Sequence, residues 1–416
     1  MYWPRQIETA LQEALATFPV VVLTGARQCG KTTLIRQALA STHRYVSLDE
    51  LDLREAARAD PRGFLRDMDA GGLIDEIQHV PDLLPYIKAV VDRDARPGRF
   101  VLTGSQHFPL MRGVSESLAG RAAILRLAPF SVAERQHRAA EVRAPLCEWL
   151  DALADAPATY DPSILGEPRD VRVVLGDWLL EGGFPPIVAE PRRPAHLWFP
   201  SYVQTYLDRD IRLSLREQNL AAFERLLRLI AARSASTLNQ SSLARDVGVS
   251  VPTIDGWISL LEASGVVERV PAYSANLGKR ETRAPKLYMS DTGLAAWLTG
   301  LRTSAHLLQG PMAGALFETA IVSDLLKRIR STLDPATLYH WRTRIGEEVD
   351  IIVESADRII PIEVKLSATI TSKHVKSLRV FLDAAGPTAG PGLVICNTEE
   401  PRRIDERITA VPWWML

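Results

Sequence analysis

With 416 residues, 46% of them hydrophobic and 24% charged, the chain has room for two to four globular domains, each with a core of its own. Its 49 Lys and Arg against 50 Asp and Glu leave a formal net charge of −1, which excludes a global field that draws in nucleic acid; any such surface is a local patch. Three scattered cysteines (Cys29, Cys147, Cys396) exclude a disulfide framework or a zinc site, no apolar run approaches the ~20 residues that span a bilayer, and Met1 to Glu8 lacks a secretory pattern, so the expectation is a cytoplasmic chain with no membrane contact.

Phe18 to Thr24 is a short β-branched run of the buried parallel-strand type, followed by a glycine-rich turn and a helix over 31–40. Further strands are predicted at 45–48, 72–74, 100–103 and 123–127, with helices between them such as 83–92. Strands alternating with helices predict a parallel sheet covered on both faces. Beyond Pro129 the texture changes. Residues 131–169, rich in Ala, Arg and Pro, read as helices plus a linker. Helices follow over 178–215, broken at Gly182-Gly183 and Pro185-Pro186, and a compact helical stretch runs over 221–269. A two-stranded excursion with a basic tip is predicted over 273–288. A helix at 315–330 then leads into strands at 338–341, 348–353, 359–365 and 392–396.

The first turn carries the clearest chemistry. Gly25-Ala26-Arg27-Gln28-Cys29-Gly30-Lys31-Thr32 matches Gly, four residues, Gly-Lys-Thr without a departure. The glycines let backbone N–H groups curl around phosphate oxygens, and the helix that starts there points its positive end at the anion. Lys31 is expected on the β- and γ-phosphates and the Thr32 hydroxyl on Mg²⁺; Thr33 completes the nucleotide-binding set. A thiol at Cys29 is a potential modification point, but more often just a small residue that fits. Gly71-Gly72-Leu73-Ile74-Asp75-Glu76 adds independent support, because an apolar strand ending in Asp-Glu places Asp75 at the metal and Glu76 beside the attacking water. The strand Phe100-Val-Leu-Thr-Gly-Ser-Gln ends in polar groups beside that site, so Ser105 or Gln106, preferably Gln106, is a candidate γ-phosphate sensor.

This loop, the Leu-Ile-Asp-Glu-Ile-Gln strand, the Leu-Thr-Gly-Ser stretch and Leu118-Ala119-Gly120-Arg121 resemble prokaryotic AAA+-type ATPases that carry a C-terminal region of uncharacterised function. The resemblance extends over most of the chain, including Tyr206-Leu207-Asp208-Arg209-Asp210. It implies ATP and Mg²⁺ as ligands and an arginine that completes a neighbouring protomer's site. Arg121 is the first candidate, with an ordinary salt-bridge arginine as the equal alternative, and Arg209 the second. Either one acting in trans implies a homo-oligomer.

In the middle of the chain, 238–262 reads as helix, tight turn at Gly248, helix, with Leu243, Ala244 and Val247 facing Ile254, Trp257 and Leu261. Ser250 is placed to cap the second helix and Pro252 sits in its first turn. With the following excursion this resembles a winged helix. The would-be recognition helix has no Lys or Arg and carries Asp255 and Glu262, unlike a surface built for phosphate contacts and base readout. The basic residues lie on the wing instead: Lys279, Arg280, Arg283 and Lys286. DNA binding and protein–protein use stay open for this module.

At the C-terminal end, Phe317-Glu318 opens a helix, Glu347-Glu348-Val349-Asp350 opens a strand, and Ile360-Pro361-Ile362-Glu363-Val364-Lys365 forms the next. Strand alternation puts Glu363 and Lys365 on one face. Asp350 and Glu363 are candidate Mg²⁺ ligands, Lys365 a group to orient or activate water, and Glu318 an added ligand or catalytic carboxylate. This resembles the PD-(D/E)xK nuclease fold of restriction enzymes and junction resolvases, although no Pro directly precedes Asp350. Arg342, Arg344, Lys373, Lys376 and Arg379 either line a phosphate track or are ordinary surface charge, and Trp341 is expected in the core.

The expected organisation is an α/β chain: a P-loop NTPase parallel-sheet domain over 1–130, a helical lid or linker over 131–217, a winged-helix-like middle over 218–300 and a restriction-endonuclease-like α/β domain over 311–416. The expected function is ATP binding and hydrolysis, controlling a nucleic-acid-binding or nuclease-like C-terminal domain. The alternative is an ATP-dependent switch or scaffold for a protein partner, with an inactive nuclease-like fold. A small-molecule kinase has no need of the two extra modules.

Overall fold

The computed structural model describes every residue except 1, 105–113, 115–116, 142–143, 160–173, 190–191, 207–219, 277–279, 281–282, 344 and 357. The described residues form two units. The first comprises Met1–Phe130 with Leu260–Val266 and Arg330–Leu333, and the second comprises Ser131–Ser259, Val267–Ile329 and Asp334–Leu416.

In the first unit, five short apolar runs become β1 (Val20–Gly25), β2 (Arg44–Ser47), β3 (Gly72–Asp75), β4 (Phe100–Thr103) and β5 (Ala122–Leu127). They pair in the order β2-β3-β4-β1-β5, all parallel. Each strand sends alternate side chains to opposite faces. Val20, Val22, Ile74, Phe100 and Leu102 join one core cluster, while Val21, Leu23, Leu73 and Val101 join another. The helices Glu8–Thr17 and Lys31–Leu39 supply the second cluster, and Leu51–Ala59 and Leu83–Val91 the first. The parallel sheet predicted from the sequence is therefore present and covered on both faces.

The second unit begins with helices that include Leu146–Thr159, Leu175–Glu181, Pro185–Val188 and Ala195–Tyr206. One interruption falls at the predicted Gly182-Gly183 pair, whereas Pro185 and Pro186 do not break a helix but open the next one, in whose first turn proline is tolerated. Phe184, Trp198 and Tyr202 pack into one aromatic cluster. The helix Leu220–Ala232 leads into β6 (Ser236–Thr237), the helices Gln240–Val247 and Val251–Ala263, and then β7 (Val267–Val270) and β8 (Lys286–Met289). These three strands form an antiparallel sheet in the order β6-β8-β7. Gly248 makes the turn at φ +84°, and Ser250 Oγ accepts the Thr253 N–H at 3.3 Å, the cap expected of it. The excursion departs from the expectation over 273–288. Its first strand is Val267–Val270, which ends before Pro271, a residue that cannot donate to a ladder.

The chain closes with the helix Ala313–Thr332 and a six-stranded mixed sheet: β9 (Thr337–Arg342), β10 (Glu348–Ser355), β11 (Arg358–Lys365), β12 (Gly392–Cys396), β13 (Arg402–Arg403) and β14 (Ile408–Pro412), in the order β13-β14-β12-β11-β10-β9. The helix Lys376–Ala385 lays Leu378, Phe381 and Leu382 on one face of it. Trp341, expected in the core, is half-buried and packs edge-on against Phe381 with centroids 5.3 Å apart, at the margin of the core. No described helix is long and apolar enough to cross a membrane.

Asp324, on the helix Ala313–Thr332, is 5% exposed and accepts the Val132 N–H at 2.8 Å. Burial pushes its carboxyl up to about 6. An aspartate in an unfolded chain titrates near ~3.9, so the folded state holds the proton more tightly, and ionisation opposes folding progressively as pH rises from about 4 through about 6. The stability of Asp324→Asn relative to wild type, from urea unfolding at several pH values, is expected to shift in the variant's favour by up to about 3 kcal/mol between pH ~4 and ~7. A difference that does not change with pH would contradict this assignment.

Candidate functional site

The glycine-rich turn joins β1 to the helix Lys31–Leu39, and its backbone is left-handed at three points: Gly25 (φ +149°), Gln28 (φ +63°) and Gly30 (φ +97°). These conformations coil Ala26, Arg27, Gln28 and Cys29 around the helix N-terminus. There the first-turn N–H groups, having no partner within the helix, point the same way. Lys31 is buried, and its ammonium donates to the carbonyls of Gly25 at 3.0 Å and Ala26 at 2.9 Å, so it lies folded back on its own loop. Cys29 is fully buried, a small residue that fits, while Gln28 and Thr33 are exposed.

The loop has a brace that the motif does not reveal. Arg5, 6% exposed, donates to the Cys29 carbonyl at 2.9 Å and to the Ala128 carbonyl at 2.6 Å, and its guanidinium stacks over Phe130 at 4.6 Å. It ties the loop to the chain just beyond β5. Nothing in the local sequence around Arg5 signals this, because its partners lie 24 and 123 residues away.

Strand order brings β3 near the loop. Asp75, 3% exposed at its end, accepts three hydroxyls: Thr32 Oγ1 at 2.8 Å, Tyr45 Oη at 3.0 Å and Thr103 Oγ1. Burial and then the Asp75 charge push the Tyr45 phenol up to about 12, which keeps it a donor. Thr32 and Asp75 are thus in direct contact, as two oxygen donors to one hard cation require. Glu76 follows with φ +56°, a left-handed non-glycine residue that turns the chain sharply out of the strand, and its carboxylate accepts from Gln78 Nε2.

Arg121 precedes β5, which pairs in parallel register with β1 from Val20–Ala122 to Gly25–Leu127. It stands at the opposite end of the sheet from the loop, roughly 20 Å away at ~3.3 Å per residue, and its guanidinium is bound to Asp92 and to the Ala119 carbonyl. Arg121 therefore does not reach the loop of its own chain. Ser105, Gln106, Lys279, Arg209 and Arg344 lie outside the described residues.

The second cluster is built by the C-terminal sheet. β10 and β11 pair antiparallel up to Ile351–Ile362, and Asp350 and Glu363 come next on their strands. The β9–β10 register is irregular between Val349 and Ile352, and both of those side chains enter the core under the helix Lys376–Ala385. Regular alternation would put residues three apart on opposite faces, so the bulge is what frees Asp350 to face the other way. Asp350 Oδ2 accepts the Val364 N–H at 2.9 Å and lies 3.5 Å from Lys365 Nζ, which also donates to Glu363 Oε1 at 2.5 Å. Glu318 arrives from the helix Ala313–Thr332. It sits in the second turn rather than opening the helix, because the helix begins earlier, at Ala313.

A residue expected on a basic wing completes the cluster. Lys286, on β8, is 3% exposed, and its Nζ lies 2.9 Å from Glu318 Oε1, 2.7 Å from Glu348 Oε1 and 3.8 Å from Asp350 Oδ1. Burial opposes its charge, yet Glu318, Asp350 and Glu348 together raise its pKa above the usual lysine value. Tyr288 Oη, two residues on, donates to Glu318 Oε1 at 2.7 Å. Burial and then Asp350 push Glu318 up to about 7 and Glu363 up to about 8. Arg280 is likewise turned inward, sandwiched between the rings of Tyr273 and Tyr339 and ion-paired with Glu354. Of the basic residues considered for a phosphate track, Arg342 pairs with Glu348, Lys376 with Glu347 and Arg379 with Asp405.

The fit to a metal differs between the two clusters. At the loop, Thr32 and Asp75 suit one hard cation alongside a phosphate chain. At the C-terminal cluster, the carboxylate oxygens that would take a metal already meet ammonium groups. Among the described residues, no group of three or more His, Cys, Asp or Glu side chains is arranged to hold a metal ion.

Three family models match successive parts of the chain: an AAA domain over residues 17–136, a domain of unknown function (DUF8612) over 174–305 and another (DUF4143) over 313–416. An uncharacterized protein of Mycobacterium tuberculosis, Rv2008c, is 31% identical over 385 residues, covering 92% of this chain and 78% of that one. An uncharacterized Mycobacterium bovis protein matches with the same figures. Among solved structures, a Thermotoga maritima RuvB superposes over 64% of this chain and 86% of its own, at 19% identity and a TM-score of 0.28, too loosely to carry an argument.

Proposed function

This chain belongs to the family of the Mycobacterium tuberculosis protein Rv2008c and carries an AAA-type ATPase domain, and from that premise we propose that it hydrolyses ATP to control what its C-terminal region binds or cleaves. The observation that carries the first half is the convergence of the phosphate loop, Thr32, Asp75 and Glu76 at the ends of two nearby strands. Loop N–H groups and Lys31 bind and orient the phosphate chain. Thr32 and Asp75 would hold Mg²⁺, which when bound neutralises charge on the β- and γ-phosphates. Glu76 takes the proton of the attacking water. Arg121, remote from its own loop, is assigned to a neighbouring protomer's site, so the active species is a homo-oligomer.

Within this reading the domain boundaries stay as the sequence drew them, with a lid over 131–217, a winged-helix-like module over 218–300 and a nuclease-like module over 311–416. The α-β-α-α-β-β order from Leu220 to Met289 supports the winged-helix assignment, and the Asp350, Glu363, Lys365 and Glu318 grouping supports the nuclease-like one. A second reading, a switch that binds a protein partner, is favoured by one observation. Arg280 and Lys286 are committed to carboxylates of this chain and do not present charge to a phosphate backbone.

ATP turnover and affinity of Lys31→Ala test the first half. Removing a cation from the β- and γ-phosphates is expected to weaken ATP binding by at least about tenfold, and unchanged binding and turnover would remove the loop from the mechanism. A gel-shift series separates the two readings, since real phosphate contacts weaken steeply with salt whereas a protein-binding surface gives no shift at all.

A further inference from the structure

The C-terminal cluster gathers four carboxylates (Glu318, Glu348, Asp350, Glu363) around two ammonium groups (Lys286, Lys365), with Arg342 paired to Glu348 at its rim, so at full ionisation it holds a formal −1. Buried like charges of this density require cations, and the interior provides little water to screen them. Three of the carboxylates, Glu318, Glu348 and Asp350, share the Lys286 ammonium. It lies within 2.9 Å of two of them, much as a hard cation would sit between two ligands. One acceptor is left over: Glu363, 6% exposed, has its Oε2 buried without a hydrogen-bond partner while its Oε1 is held by Lys365. The cluster thus keeps an unpartnered buried oxygen beside a lysine that occupies the central position.

Lys286 does not belong to the sheet that carries Asp350 and Glu363. It comes from β8 of the three-stranded sheet, 32 residues before Glu318 in the chain. We propose that Lys286 is a tethered cation that excludes divalent metal from the Glu318, Asp350 and Glu363 carboxylates, so that the cluster takes Mg²⁺ or Mn²⁺ only once that ammonium is removed from it. The inference deepens the nuclease-like reading by giving that site an autoinhibited state.

Mn²⁺ titration of the full chain without nucleotide, by calorimetry or by Mn²⁺ electron paramagnetic resonance, tests this directly. Lys286→Met keeps the length of the side chain and removes the charge. It is expected to bind one Mn²⁺ at least about tenfold more tightly than wild type, as follows from deleting a charge within 4 Å in a poorly screened site. Adding Asp350→Asn to Lys286→Met is expected to abolish the gain, and Lys286→Arg, which keeps the charge, to leave the cluster closed. Should Lys286→Met fail to fold, Lys286→Gln, which retains a donor for Glu318, is read in the same way. Equal Mn²⁺ affinity in the neutral variant and wild type overturns the proposal, as does an Asp350-dependent Mn²⁺ site of equal strength in wild type. The titration involves neither ATP hydrolysis nor strand cleavage, so failure of the nuclease-like function would appear separately, as a metal-binding variant that cuts nothing.

Discussion

Glu76→Gln is expected to lower ATP turnover by at least about a hundredfold while leaving ATP affinity within a few fold, because general-base removal costs about 10²–10⁴ in rate and leaves ground-state contacts intact. The expectation follows from position as much as from chemistry. Asp75 and Glu76 are adjacent, yet their environments differ sharply: Asp75 is buried under three hydroxyl donors, whereas Glu76 leaves the strand through a left-handed backbone at φ +56°. A left-handed non-glycine residue is disfavoured by roughly 1–2 kcal/mol and persists where its surroundings fix it. Here it turns the Glu76 side chain out of the strand's alternation, while Asp75 stays beside Thr32. Glutamine preserves shape and backbone and removes only the basicity, so a fall in kcat without a rise in KM identifies the proton acceptor. A parallel loss of affinity would instead assign Glu76 to nucleotide binding, and unchanged turnover would remove it from the reaction.

How far the sequence foretold this arrangement depends on where each residue finds its partners. The strands Val20–Gly25, Gly72–Asp75 and Phe100–Thr103 were legible because each is apolar on both faces and bounded by turn residues, and the edge strand Ala122–Leu127 because its apolar residues Ala123, Leu125 and Leu127 alternate. The glycine-rich loop was legible because the spacing of its two glycines sets the left-handed turns that lead into the helix Lys31–Leu39. Ser236–Thr237 and Arg402–Arg403 were not, since a two-residue strand exists only through the strand it pairs with. The helix Lys376–Ala385 and the strand Ile408–Pro412 were also missed, although both carry buried apolar residues. Lys286 is the instructive case. A lysine on a basic stretch reads as solvated surface, because lysines are almost never fully buried unless paired. Its partners lie 32, 62 and 64 residues further along, on a helix and a strand of another sheet. Arg5 escaped notice for the same reason. Both are charges whose meaning is fixed by tertiary contacts, not by their neighbours in the chain.

Gly25→Ala should destabilise the N-terminal unit by about 3 kcal/mol or more and abolish nucleotide binding. Two separate penalties meet at this position. The backbone at φ +149° is one that a residue with a side chain rarely adopts, and an added Cβ would lie 2.1 Å from the Leu127 carbonyl oxygen and 3.2 Å from Cys29 Sγ. The obstructing atom is main chain of β5, hydrogen-bonded alongside β1 through Gly25–Leu127 itself, so it cannot rotate away as the tip of a flexible side chain would. Relief requires parting β1 from β5 or uncoiling the loop, and the loop is where the phosphates are expected. Gly120→Ala separates the two penalties. That glycine also has a positive φ, +73°, but a Cβ added there would meet nothing within 4 Å. Its replacement therefore brings backbone strain alone, about 1 kcal/mol, and leaves ATP affinity intact. Urea unfolding of the full-length variants, followed with an ATP-binding assay, checks both. If the two alanines were equally mild, the close contact at Leu127 would not be what makes Gly25 necessary.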